Sequence, residues 1–306
     1  TEITARAAAT QIIMINEAHH MPQTRVLTLE MLKPLYAKGF RYLAAETFDE
    51  NTATMATRGS LLLTSGYCAK APLFGQLVRE ALKLGYKLVV YENRKDCNPP
   101  EGADPMFCQN FREKGQAENL KAVLDRDPKA KILVHAGFGH IDETGNPPWI
   151  PMARYFRELT GIDPFTVDQT SMVEHSDSKI EDGFYQTFSV TNSSLRPMVL
   201  KSSNALFVAP WRKGSYENGR PTWAKAFGRY RGMNVSMDLC GQTSACLIQA
   251  FAKGEPVAEA VPVDQVVITS PNEKKELLLP TGEYQLRWSN DQGKIIGTKT
   301  LKIESK

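Results

Sequence analysis

The chain has 306 residues, of which 42% are hydrophobic and 23% are charged, and its formal net charge is +3. These proportions are those of an ordinary globular protein, so they exclude a disordered chain and a fibrous repeat. The small positive excess does not favour a nucleic acid as partner, and no apolar run reaches the roughly 18 residues that a transmembrane segment needs.

The first 165 residues alternate between short apolar runs and longer segments with helical periodicity. The runs are rich in β-branched residues, as in strands that are buried on both faces. This alternation predicts βαβ units and therefore a mostly parallel sheet flanked by helices. The predicted strands are residues 11–15, 41–45, 87–91 and 131–135, and the predicted helices are residues 23–38, 73–84, 112–126 and 150–160.

The pattern becomes irregular after residue 165 and changes again near residue 263. From there, short apolar segments alternate with turn sequences such as Pro-Asn-Glu-Lys and Asn-Asp-Gln-Gly. This is typical of a small antiparallel β-sandwich-like domain. We therefore expect an α/β domain over residues 1–262 and a β domain over residues 263–306.

Five cysteines are present, without a C-x-x-C motif that would indicate a zinc or thioredoxin-like site. Cys97 and Cys108, and likewise Cys240 and Cys246, lie close enough in sequence to form disulfides, which leaves Cys68 outside both pairs. Reduced, buried thiols are the alternative. The chain begins without Met and without a signal peptide, which could have been removed. Together with the cysteines and the terminal β domain, this predicts a periplasmic or secreted protein.

Acidic residues and histidines follow the predicted strands where each strand ends. Ligands of parallel sheets bind beyond the carboxyl ends of the strands, so we expect these side chains to share one mouth. Four of the five histidines belong to this set, which comprises Glu17, His19, His20, Glu46, Glu92, His135 and His140.

The segment Asn16-Glu17-Ala18-His19-His20 follows the first strand directly. A carboxylate and two imidazoles on a tight turn can bind a metal or act as a base with its orienting group. Glu46 ends an apolar strand, where partial burial perturbs a carboxylate pKa and makes it a candidate general base. A polar loop and an ordinary strand-end charge are the plain alternatives.

The second histidine pair stands in His135-Ala-Gly-Phe-Gly-His140. His135 lies within the strand run, which favours a satisfied core histidine. His140 lies past the turn and is the functional candidate, with Asp142 and Glu143 available to orient its ring. Gly137 and Gly139 let the backbone turn sharply and approach a ligand closely. The fifth histidine, His175, lies in a polar loop and reads as a surface residue.

Three further residues are candidates for substrate binding. Arg112 and Asn119 are seven residues apart and share a helix face, where the guanidinium could hold an anionic group or a carboxylate. Arg25 begins the first helix, where the helix dipole disfavours a cation, so a carboxylate partner such as Glu17 or Glu46 is expected. Because no G-x-S-x-G, H-E-x-x-H, P-loop lysine or G-x-G-x-x-G motif is present, the chemistry must rest on His and Glu.

Taken in order, these motifs resemble the erythromycin esterase/ChaN/TIKI-like superfamily over roughly residues 10–165. Its members carry a Gly-Glu-x-His or Gly-Glu-x-x-His motif after the first strand, a Glu at the end of the second, and a late Gly-x-x-His. Glu17 and Glu46 match the two acidic residues, His140 matches the late histidine, and His19 or His20 matches the first. Arg112 and Asn119 resemble the Arg and Asn of the preceding helix.

Two positions depart from the esterase pattern. Asn16 stands where the first Gly is usual, and Gly137-Phe138 stands where esterases have His-Asn, so the ChaN-like form of the late motif fits better. The C-terminal β domain does not belong to the core of that superfamily and resembles modules appended to bacterial secreted proteins.

The resemblance implies a hydrolase of an ester or amide bond in a small molecule or peptide. Its implied catalytic residues are Glu17, His20, Glu46 and His140. A divalent metal, if bound, would be held by Glu17, His19, His20, Glu46 and His140. The alternatives are a haem- or metal-binding protein without turnover, with haem less favoured than a divalent metal, and a binding module that has lost activity. The sequence gives no signal for an oligomeric state.

Overall fold

The structure, a computed structural model, describes residues 2–66, 68–145, 147–171, 205–207, 216–221, 224, 231–241 and 243–304. The chain divides into two compact units. The first comprises residues 1–59 and 79–212, and the second comprises residues 60–78 and 213–306. His175, expected at the surface, lies outside the described residues.

Helices and strands alternate through the described part of the first 168 residues, as the apolar pattern predicts. The helices are α1 (Glu2–Arg6), α2 (Thr24–Ala37), α3 (Thr52–Arg58), α4 (Pro72–Leu84), α5 (Phe107–Arg126) and α6 (Met152–Thr160). The strands are β1 (Ile12–Glu17), β2 (Tyr42–Ala45), β3 (Lys87–Val89), β4 (Ile132–Gly137) and β5 (Phe165–Asp168), followed by β6 (Ala205–Phe207).

These six strands form one sheet in the order β3-β2-β4-β1-β5-β6. Every neighbouring pair is parallel, which confirms the expected mostly parallel α/β sheet. In the register of β1 and β4, Glu17 lies opposite Gly137. The carboxyl ends of β2, β4 and β1 are thus neighbours, and the residues that follow them converge on one edge.

The two central strands are buried along their whole length, because both faces of the sheet are covered. Successive side chains alternate between the faces, so Ile12 and Met14 enter one core while Ile13 and Ile15 point to the other. The first core includes Leu120 of α5 and Phe156 of α6, and places α5 against this face. This packing fixes α5, which supplies two of the site residues.

The sequence missed some of these elements and their limits. Helix α5 begins at Phe107 rather than near residue 112, because its first turn is polar and carries a cysteine. Helix α3 and strands β5 and β6 were not predicted. They have seven, four and three residues, which is too few to establish a period.

Among the described residues, the strands of the second unit are β7 (Tyr216–Glu217), β8 (Arg220–Pro221), β9 (Arg231–Val235), β10 (Cys246–Ala252), β11 (Asp264–Ile268), β12 (Lys275–Leu279), β13 (Gly282–Asn290) and β14 (Ile295–Ile303). They form a separate hairpin of β7 and β8 and two larger antiparallel sheets. One has the order β11-β10-β13-β14 and the other pairs β12 with β9. Their side chains share one core that includes Val235, Ile248, Leu277 and Trp288, so the unit is sandwich-like as predicted.

This β unit reaches further back along the chain than the tail expected from residue 263. Strand β9 pairs with β12, and β10 lies between β11 and β13. Hydrogen bonding therefore ties residues 231–235 and 246–252 to the terminal strands. The sequence did not predict this pairing, because the composition around β9 shows no regular alternation.

Two disulfides are present, Cys97–Cys108 and Cys240–Cys246. This confirms the expected pairing over the alternative of reduced thiols. The first bond joins the segment after β3 to the first turn of α5. Among the described residues, no helix combines the length and the apolar character needed to cross a membrane.

Candidate active site

Four of the predicted site residues lie together at the carboxyl edge of the parallel sheet. Glu17 ends β1, Glu46 follows β2, Glu92 follows β3 and His140 follows β4. Arg112 of α5 connects three of these segments through its guanidinium group. The expectation of one shared mouth is therefore consistent with the geometry.

Glu17 is the centre of the first half of the site. Its carboxylate is almost fully buried and accepts hydrogen bonds from Nε and Nη2 of Arg25, the latter at 3.2 Å. Nδ1 of His19 lies 2.7 Å from Glu17 Oε1. Arg25 is the carboxylate-paired cation expected at the start of α2. Since its side chain is only 2% exposed, it holds Glu17 in place and does not face a substrate.

A second imidazole approaches Glu17 from the core. His135 Nε2 lies 3.1 Å from Glu17 Oε2, and its Nδ1 lies 3.0 Å from the hydroxyl of Thr28. His135 is buried, as expected of a core histidine. It nevertheless contributes to the site, because it contacts the carboxylate that orients His19.

Glu46 and Arg112 form the centre of the second half. Arg112 Nη2 donates to Glu46 Oε1 at 2.7 Å, while its Nε donates to Glu92 Oε1 at 3.0 Å. Glu46 Oε2 accepts the backbone N–H of Gly137 at 2.7 Å. Glu92 also accepts a hydrogen bond from Gln116, so α5 anchors this carboxylate at two points. Arg112 is thus held in a fixed orientation between two carboxylates.

His140 is oriented by Glu113, a residue that the sequence reasoning missed. Its Nδ1 lies 2.7 Å from Glu113 Oε2, and the Glu113 side chain is fully buried. Glu113 also accepts the N–H of Met152, the first residue of α6, at 2.8 Å. The sequence signal that could have found it is an acidic residue that directly follows Arg112 and lies on the core-facing side of α5.

The residues expected to orient the His140 ring do something else. Asp142 accepts the backbone N–H and the hydroxyl of Thr144, and closes a local turn. Glu143 contacts Arg157 and the hydroxyl of Thr166. Proximity in sequence suggested them, but the backbone after His140 carries both side chains away from its ring.

The structure separates the two adjacent histidines. His19 lies in the hydrogen-bonded network, and its Nε2 lies 3.8 Å from Glu46 Oε2. His20 is exposed, and its ring stacks on Phe138 at a centroid distance of 6.2 Å. The geometry therefore favours His19 over His20 as the histidine of the site, although the sequence favoured His20.

Asn119 and Asn16 have structural contacts. Asn119 donates to the carbonyl oxygens of Tyr91 and Glu92 at 3.0 and 3.3 Å, so it fixes the segment that carries Glu92. Asn16 donates to the carbonyl oxygen of Phe138 and to Asp168, both at 2.8 Å. Its amide links the ends of β1, β4 and β5.

Gly137 is required because the site occupies the space beside it. A Cβ atom on Gly137 would lie 2.4 Å from His19 Nε2 and 2.8 Å from Glu46 Oε2. The φ of this residue is −79°, which any amino acid adopts. The glycine therefore serves close approach of side chains rather than an unusual backbone conformation.

Opposite charges set the ionisation of the site. Burial alone would raise the pKa of Glu17, but His135, His19 and Arg25 outweigh it and lower that pKa. Burial opposes the same shift in Glu46, whose pKa is lowered by His140 and Arg112. The bond to Glu17 raises the pKa of His19. Burial would lower the pKa of His140, but Glu113 and Glu46 raise it to about 9.

The same contacts involve the residues that were expected to hold a divalent metal. The oxygens of Glu17 and Glu46 accept hydrogen bonds from arginine, and both imidazoles have Nδ1 on a carboxylate, an arrangement that metal-ligating histidines share.

No family model and no curated protein matches the chain. Solved structures that are similar to it at low identity include the following three. The type III effector HopBA1 is 13% identical, with 68% of this chain and 92% of that chain covered and a TM-score of 0.42. RRSP, a MARTX toxin effector domain from Vibrio vulnificus, is 14% identical, with 56% and 36% covered and a TM-score of 0.38.

The third is the C-terminal region of Pasteurella multocida toxin, whose structures reveal a thiol-protease like catalytic triad. It is 11% identical, with 98% of this chain and 48% of that chain covered and a TM-score of 0.43. The chain thus spans less than half the length of the two toxin structures. At these TM-scores the similarity assigns no activity to the chain.

Proposed function

We propose that this chain is a hydrolase of ester or amide bonds that uses two oriented histidines. One observation carries the proposal. Nδ1 of His19 and Nδ1 of His140 each lie 2.7 Å from a buried carboxylate, Glu17 and Glu113. Their Nε2 atoms both face Glu46, at 3.8 and 3.5 Å. A carboxylate on Nδ1 fixes the ring and leaves Nε2 to transfer a proton.

His19 is the general base in this mechanism. The His19 side chain is 33% exposed, whereas that of His140 is 12% exposed, so His19 is the more accessible of the two imidazoles. Nε2 lies too far from Glu46 for a hydrogen bond, so it can accept a proton from a water molecule. The resulting hydroxide attacks the carbonyl carbon, and Glu17 stabilises the imidazolium that forms.

His140 is the general acid. With a pKa of about 9 it is protonated at neutral pH, and its Nε2–H can be transferred to the leaving oxygen or nitrogen. The bond between the carbonyl carbon and the leaving group then breaks, giving a carboxylic acid and an alcohol or amine. Arg112, whose Nη1 lies 3.3 Å from His140 Nε2, supplies positive charge near the oxyanion. Solvent afterwards returns the proton from His19 to His140.

The proposal needs no metal, because the imidazoles and the guanidinium supply the base, the acid and the charge. The ordered motifs that resemble the erythromycin esterase/ChaN/TIKI-like superfamily support it, and we include membership of that superfamily in the proposal. The substrate is a small molecule or a peptide. The two disulfides support an oxidising location, in the periplasm or outside the cell.

Two ester substrates with different leaving groups test these roles. A p-nitrophenyl ester has a good leaving group that needs no general acid, whereas a methyl ester has a poor one. His19→Ala should lower kcat about 10²–10⁴-fold for both esters, which is the usual contribution of general base catalysis. His140→Ala should lower kcat to a similar degree for the methyl ester and far less for the p-nitrophenyl ester.

Lys121→Ala serves as the control, because Lys121 pairs with Asp125 on the exposed side of α5. His20→Ala should lower kcat far less than His19→Ala. A larger loss in His20→Ala than in His19→Ala would reverse the assignment of the two adjacent histidines. Absence of turnover of all esters and amides by the wild type would favour a binding module.

A further inference from the structure

An exposed aromatic ring borders the candidate site. Phe138 directly follows Gly137 and is 44% exposed, although a phenyl ring favours burial. Its backbone φ is +40°, in the left-handed region that non-glycine residues rarely adopt. An unfavourable conformation and an unburied apolar ring thus coincide at one residue beside His19.

The surrounding structure holds this conformation firmly. The carbonyl oxygen of Phe138 accepts a hydrogen bond from Asn16 Nδ2 at 2.8 Å. Asn16 is 1% exposed, and its Oδ1 accepts the backbone N–H of Gln169 at 2.6 Å. Strained residues persist where a buried network fixes them, and they concentrate at functional sites.

Two imidazole rings pack around the Phe138 ring. The His19 ring meets it edge to face, at a centroid distance of 5.3 Å and an interplanar angle of 86°. The exposed His20 ring is nearly parallel to it, at 6.2 Å and 21°. Both are favourable aromatic geometries. Phe138 and His20 therefore present aromatic surface to solvent, and the Phe138 ring directly contacts His19, the proposed base.

We propose that Phe138 and His20 form an aryl subsite, which binds an aromatic ring of the substrate next to the bond that is cleaved. This inference rests on the proposed hydrolase function and names its substrate class: esters or amides with an aryl group a few bonds from the scissile carbonyl. An aromatic group is preferred over an aliphatic one because ring–ring contacts contribute beyond the buried area, by about 2- to 12-fold in affinity.

The test compares methyl phenylpropionate with methyl cyclohexylpropionate, which differ in aromaticity and little in size. The wild type should prefer the phenyl ester in kcat/KM by about 2- to 12-fold. Phe138→Leu keeps an apolar side chain without a ring and should abolish the preference, mainly through KM. His20→Ala should reduce it. Leu159→Ala, which alters a similarly exposed residue of α6, should keep the wild-type preference.

A binding measurement separates this inference from the proposed function, because it needs no turnover. Phenylpropanol and cyclohexylpropanol are titrated against the full chain while the histidine ring signals are followed by NMR. Phenylpropanol should shift the His19 and His20 signals at lower concentration, and Phe138→Leu should remove the difference. If the ring-dependent shifts occur but no ester is hydrolysed, the subsite is supported and the hydrolase proposal fails. If esters are hydrolysed with equal preference by wild type and Phe138→Leu, the subsite is overturned.

Discussion

At the scale of single residues, the site depends on side chains that share one carboxylate. Glu17 serves Arg25, His19 and His135 at the same time, so a change at any of them alters the others. Such a network couples its members, and the effects of single substitutions in it should not add. Gly137 is the best position for testing the site by substitution. It has no side chain of its own, so a substitution there removes no hydrogen bond of the network.

Gly137→Ala should impair the site and spare the fold. The new Cβ would lie 2.4 Å from His19 Nε2, so the imidazole must leave its place on Glu17. A displacement of about 1 Å can lower kcat/KM by roughly 10²-fold. The pKa of His19, measured by NMR, should fall toward its ordinary value as the bond to Glu17 is lost.

Gly297→Ala provides the comparison. It lies in the second unit, where the nearest heavy atom to a new Cβ is Leu239 Cβ at 3.3 Å. This variant should keep both kcat/KM and the His19 titration of the wild type. An unchanged His19 pKa in Gly137→Ala would show that the site has room for a methyl group beside His19, which contradicts the short distance between these positions.

At the scale of elements, helix α5 organises half of the site. It carries Arg112 and Glu113 in its second turn, and Gln116 one turn later. Its first turn carries Cys108, which is bonded to Cys97 in the segment after β3. The disulfide therefore ties the start of the helix close to Glu92, one of the carboxylates that Arg112 holds.

Replacing Cys97 and Cys108 by serine should destabilise the first unit and lower hydrolysis. Closing a loop of this length in the unfolded chain is worth up to about 3 kcal/mol of stability. The loss is measured by denaturant unfolding under non-reducing conditions. In parallel, kcat/KM should fall, because the first turn of α5 gains freedom.

The other disulfide is the matched control. Cys240 and Cys246 lie in the second unit, and replacing both should lower the stability of that unit without changing kcat/KM. Equal activity losses in both double variants would argue that the effect reports general destabilisation instead of the position of α5.

At the scale of the whole molecule, the buried ionic network makes stability depend on pH. The pKa of His140 rises from an unfolded value of 6.5 to about 9, so its contribution is full below 6.5 and is lost as the pH rises through 9. The pKa values of Glu17 and Glu46 are lowered, so their contribution is present above the unfolded value of 4.5 and is lost as the pH falls. Both contributions are complete between the two unfolded pKa values, so stability should be greatest between pH 4.5 and pH 6.5.

His140→Gln should flatten the alkaline side of this profile. A shift of this size corresponds to about 3 kcal/mol at roughly 1.4 kcal/mol per pKa unit. Urea unfolding between neutral pH and pH of about 10 measures the loss in the wild type and the variant. If both proteins lose the same stability over that range, His140 is not the group responsible.

The sequence predicted the parallel sheet and the edge where its polar residues gather because both follow from local patterns. Apolar runs of β-branched residues favour buried strands, and a glycine at φ +91°, Gly39, follows the end of α2. Strands of this kind place the residues after Glu17, Glu46 and Gly137 on one edge. Short sequence separation made the two disulfides possible, and the structure decided between them and reduced thiols. Membership of a superfamily, the substrate class and the compartment stay predictions.

The tertiary structure decided which side chains meet, because contact depends on directions that sequence spacing does not set. The choice between His19 and His20 follows from the turn after β1, which points one ring at Glu17 and the other at solvent. Glu113 became a site residue because α5 packs against β4 and turns that carboxylate toward His140. The sequence alone therefore determined the sheet and the edge where its polar residues gather, while packing of helices on that sheet decided the hydrogen-bonded partners.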